Sequence, residues 1–164
     1  MRLTFTEADG RRHVDITPEQ AEAAGVAPDM VLSAVKAHLC AEIDAQAEAR
    51  RLRVLTAGAG QALEYQEAQA QAAAALKAPA SATAEKYPML AVSVGIDTDP
   101  ETGAPAADIL AVARGIQAAR DAWLAIGAEI RGARLAAKAA IAAAATVDGA
   151  AAAYAAAAWP ATPG

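Results

Sequence analysis

Apolar and polar residues first alternate and then recur at helical spacing along the chain. Leu3-Thr4-Phe5-Thr6 and His13-Val14-Asp15-Ile16 flank Ala8-Asp9-Gly10. Two period-two runs around an Asp-Gly turn predict a β-hairpin. Thr17, Pro18 and Gln20 then carry a helix start, with threonine able to cap, proline suited to the first turn and Gln20 three residues after the cap. Gly25 ends that short helix. From Pro28 and Asp29, the residues Leu32, Val35, Leu39 and Ile43 recur every three or four positions and predict a helix reaching Arg53. Ala57-Gly58-Ala59-Gly60 turns the chain, and Gln61 to Lys77 resumes as the second half of a helical hairpin. A Pro/Ala/Ser connector covers 78–90, the apolar run 89–96 reads as a helix start in preference to a strand, and 97–103 is a polar turn.

The longest pattern follows. Ile109, Val112, Ile116, Ala119, Trp123, Ile126, Ile130, Ala133, Ala137, Ala140 and Ala144 are spaced alternately by three and four, which is a heptad repeat. Leu110 and Leu124 widen the stripe beyond a two-stranded seam and favour a bundle. Gly115, Gly127 and Gly132 each weaken an isolated helix by ~1 kcal/mol, so this helix needs neighbours. Val147 to Ala158 adds a last helix, ended by Trp159 and Pro160.

Composition sharpens this picture. Alanine supplies 53 of the 164 residues, and alanine contributes little buried area, whereas each large apolar side chain stabilises by roughly 1.5–3 kcal/mol. Such a chain is held by closely packed long helices or by partner chains, and a monomeric enzyme with a deep pocket is not expected. The net charge of −5 argues against a general nucleic-acid binder. One cysteine, Cys40, excludes an internal disulfide framework. Residues 1–5 lack a signal-peptide core, and the apolar tract 139–159 is mostly alanine, broken by Asp148 and Gly149, so no membrane span is expected.

Candidate chemistry is sparse. Asp97, Asp99, Glu101 and Asp108 superficially match a calcium loop, but Thr102 stands where glycine is required and Pro105 lies inside it. Gly58 and Gly60 lack the third glycine and the βαβ setting of a dinucleotide fingerprint. His13 and His38 have no ligand-spaced neighbours, and Ser33, Ser81 and Ser93 lack a nucleophile elbow. No catalytic, cofactor-binding or metal-ligating residue is assigned. Arg50, Arg51 and Arg53 form the one basic cluster, readable as a contact with an acidic partner or as cations favourably placed at a helix C-terminus.

The stretch from Arg51 to Tyr65, arginines followed by Thr56-Ala57-Gly58-Ala59-Gly60-Gln61 and a tyrosine-bearing helix, resembles a family of tailed-bacteriophage proteins encoded beside tail-fibre genes. Tyr87-Pro88-Met89-Leu90 and the helix carrying Trp123 and Arg134 to Ile141 resemble that family's second half. The lysine usual shortly after the family's tyrosine is absent, with Gln69 nearby instead. The resemblance spans roughly residues 40–145 and implies a non-catalytic component of a phage or phage-like particle, made in the host cytoplasm and located in the virion.

The expected fold is mainly α: a short N-terminal β-hairpin, then an alanine-rich helical hairpin or bundle with a long heptad-patterned helix. The expected division is 1–27, a hairpin and short helix for docking, and 28–164, the helical domain. The expected role is a structural protein of the tail or tail-fibre region, with a tail-fibre assembly chaperone or a capsid decoration protein as alternatives. Partners would be other virion proteins and further copies of the chain, a trimer being favoured, without nucleic acid. Contact residues would be Ile109, Val112, Ile116, Trp123, Ile126 and Ile130 on the long helix, Arg51, Arg53, Gln61 and Tyr65 at the helix-turn-helix corner, and Phe5 on the hairpin.

Overall fold

A computed structural model of the chain describes residues 1–53 and 59–161. The protein is mainly helical behind an N-terminal hairpin, as the periodicities predict. Strands β1 (Leu3–Thr6) and β2 (Arg12–Ile16) pair antiparallel, with Phe5 opposite His13 and Leu3 opposite Ile16. The register slips between Leu3 and Phe5, where Asp15 takes a left-handed φ of 53°. Helix α1 (Pro18–Ala23) begins with the predicted capping box: Thr17 Oγ1 accepts from the Gln20 N–H, and Gln20 Oε1 accepts from the Thr17 N–H at 2.8 Å. Gly25, at φ 83°, lets the chain turn so that the Val26 N–H bonds back to the Ala21 carbonyl, and both side chains are buried.

Helix α2 (Pro28–Arg51) buries Val31, Val35, Leu39, Ile43 and Ala47. The apolar spacing predicts Leu32 on this stripe, but Val31 is buried and Leu32 is half-buried. A strict four-residue row explains the difference, because such a row slants across the helix axis and starts one position earlier. Two compact units emerge, Met1–Arg51 with Ala128–Gly164, and Leu52–Gly127. This division cuts across the boundary expected at residue 27: Leu3, Ala21 and Val26 are buried in one core with the α2 row, Ile141 and Ala150. A four-residue and a five-residue strand cannot bury an apolar face alone, so the hairpin uses α2 for that purpose.

In the second unit, helix α3 (Ala59–Lys77) leads through a 3-10 turn at Pro79–Ser81 to the single-turn helix α4 (Pro88–Ala91). Helix formation beyond the connector therefore stops at Ala91, and turns follow. Ala72, Ala75, Tyr87, Leu90, Ala106 and Val112 are buried in its core, where alanines let the helices approach Tyr87 and Leu90. Of the Ala57–Gly60 turn expected from sequence, Ala57 and Gly58 lie outside the described residues, and Ala59 and Gly60 already belong to α3.

Helix α5 (Ile109–Ala143) is the long helix of the heptad pattern, and α6 (Val147–Ala155) follows it. Thr146 Oγ1 caps α6 by accepting from the Gly149 N–H at 3.0 Å. The tract 139–159 is thus split between two helices, and no helix among the described residues is long and apolar enough to cross a membrane. Toward its end α5 leaves the heptad: Ile130, Ala137 and Ile141 are buried while Ala140 is exposed. A straight helix drifts ~20° per heptad, which carries position 141 into the place a supercoil would have kept for 140.

Two paired substitutions test these packing assignments. Ile141→Ala should cost about 2–5 kcal/mol in urea unfolding, and Ala140→Ser less than about 0.5 kcal/mol; equal effects would mean that the heptad holds to the end of α5. A methyl group on Gly115 would lie 3.2 Å from the Thr98 carbonyl oxygen, whereas Gly132 has open space around it. Gly132→Ala should therefore stabilise by about 0.5–1 kcal/mol through helix propensity. Gly115→Ala should give no such gain, and an equal gain would show that the 97–106 loop yields.

Candidate functional site

The predicted contact residues differ in exposure. Val112 is buried, and Ile109 and Ile116 pack half-buried against the core of the second unit. Ile130 is fully buried in a single chain. These four positions are occupied with intrachain packing. The middle of α5 differs: from Ala118 to Glu129 no side chain is buried, although the stretch carries Trp123, Leu124 and Ile126. Leu124 is 43% exposed, Trp123 lies over Gly127, and the buried indole N–H of Trp123 has no acceptor among the described residues.

Helix α3 shows the same change along its length. Its last turns bury Ala72 and Ala75, whereas every residue from Gln61 to Glu67 is exposed, Leu63 at 68% and Tyr65 at 49%. Val92 and Ile96, in the turns after α4, are also exposed. The second unit thus presents several large apolar side chains that its small alanine core does not cover. Scattered exposed apolar residues are ordinary, but tryptophan and tyrosine are scarce in this chain, at two and three residues.

Charged side chains have mostly structural duties. Arg51 pairs with Glu48 one turn back at 2.9 Å. Arg50 donates to the Gln46 carbonyl and stacks its guanidinium 4.4 Å above the centre of the Trp159 ring. Arg53 is exposed. For Arg50 and Arg51 this geometry supports the helix-terminus reading of the basic cluster, in which cations stand in the last turn of α2. The Trp159 contact escaped sequence reasoning because the two residues are far apart in the chain and no local pattern joins them.

Phe5 is half-buried, stacked on His13 with ring centroids 4.9 Å apart. His13 Nε2 meets Glu7 Oε1 at 2.6 Å, and Arg11 lies 3.7 Å from the same oxygen. Phe5 therefore braces the hairpin against the first core and is not presented outward. In the polar loop, Asp99 is buried and accepts from the Glu101 N–H at 3.0 Å and from Arg114 at 3.4 Å. Asp108 accepts from the Ala111 N–H at 2.8 Å, capping α5. Those carboxylates fasten a loop to a helix start, and among the described residues no group of three or more His, Cys, Asp or Glu side chains could hold a metal ion.

The chain matches no protein-family model, no curated protein and no solved structure.

One ionic cluster has a measurable signature. Asp44 on α2 accepts from Lys138 at 2.7 Å and from Arg134, both on α5. The Lys138 hydrogen bond, then that of Arg134, holds the Asp44 carboxyl below the usual carboxylate range. A depressed folded value favours the ionised form in the fold, so the contribution is complete above about pH 4 and fades as acid carries the solution through the lower value. Asp44 is partly exposed, and solvent screens the effect. Asp44→Asn should therefore lower the melting temperature near neutrality and flatten its acid-side decline; parallel curves for both proteins would show that the cluster adds nothing.

Proposed function

We propose that the protein is a non-enzymatic structural component of a phage or phage-like particle, in the tail or tail-fibre region, which assembles through helix packing with other virion proteins and with further copies of itself. The observation that carries this reading is the uncovered middle of α5, where Trp123 and Ile126 keep heptad spacing, with Leu124 beside them, in a stretch without a buried side chain. A partner helix laid on that seam would remove apolar area from water at roughly 25 cal/mol per Å². The exposed first turns of α3, with Leu63 and Tyr65, offer a second face of the same character. The resemblance of residues 40–145 to the tail-fibre neighbourhood family supplies the particle, and the surface chemistry supplies the manner of assembly. The two-stranded hairpin contributes open strand edges for docking.

A quantitative protein inventory of purified particles tests the role. A low copy number in step with the symmetry of the tail is the expected result. Copies in proportion to the capsid subunits would point to decoration, and presence in producing cells with absence from particles would point to a fibre assembly chaperone.

Self-association has its own test. Ile130 is unsuitable for it, since a charge there would unfold the chain. Leu124→Lys touches no buried core and should leave helicity and melting unchanged while weakening self-association about tenfold or more in sedimentation, a loss of ~1.4 kcal/mol. A wild-type chain that sediments as a monomer at every concentration would refute assembly through its own copies.

A further inference from the structure

We draw no further inference here: the strongest candidate, the groove of the first unit between Pro18, Pro28, Leu32 and Val147, is rimmed by Glu19, Glu22, Asp29 and Asp148, but three of these carboxylates stand in helix first turns where they complement the helix termini, and nothing else in the structure points to a ligand there.

Discussion

The scarcity of large apolar side chains governs everything else in this molecule. With a third of the chain alanine, the first unit gathers its few branched residues into one row, Val31, Val35, Leu39 and Ile43 on α2, continued by Ala47. A row of four-residue steps slants around a helix, so elements crossing α2 at different angles can share it. The hairpin contributes Leu3, α1 contributes Ala21, the end of α5 contributes Ile141 and α6 contributes Ala150 to the core around this row. Each of those elements is too short or too alanine-rich to fold alone. Their stability is therefore borrowed from a single stripe, and a cavity in that stripe is felt by all of them.

Polar contacts fix the register that so small a core leaves loosely specified. Alanine surfaces are smooth, and helices packed through them could slide with little loss of contact. Asp44 with Arg134 and Lys138, Lys36 Nζ on the Ala142 carbonyl at 2.7 Å, and the Tyr154 hydroxyl accepting from Gln46 at 2.7 Å tie α2 to α5 and α6 at separate points along its length. The Lys36 bond also occupies a carbonyl at the α5 C-terminus, where a cation complements the helix dipole. Exposed ion pairs stabilise weakly, but their directionality selects one alignment among several of similar apolar burial.

Sequence made the elements legible, and made their partnerships much less so. The hairpin, the Thr17 capping box, the start of α2 and the long α5 all announce themselves through local chemistry: alternation, a capping triplet and apolar periodicity. The ties just described join residues 90 to 108 positions apart, and nothing local distinguishes Asp44 from Glu42, or Arg134 from Arg131, as a partner. The division into units was hidden for a related reason. Helix α5 contributes residues 109–127 to one unit and 128–143 to the other, so an uninterrupted period conceals a change of neighbours. Of the expected contact residues, Val112 and Ile130 show the same ambiguity, since a heptad position looks alike whether its partner lies in the same chain or another.

The two repeats within α5 bear on what its uncovered middle does. Where α5 finds partners in its own chain, Ile130, Ala137 and Ile141 follow steps of seven and four, and the heptad gives way as a straight helix requires. At Ala119, Trp123 and Ile126 the steps of four and three persist although no side chain there is buried. A regular seam of this kind buries no side chain fully between Ala118 and Glu129, and an alanine-rich helix would keep its conformation with polar residues in those places. Exposing part of a tryptophan and part of a leucine forfeits burial that the rest of this chain can ill spare. The spacing and the exposure together favour a second helix laid along the seam, which is the physical content of the assembly role proposed for the protein.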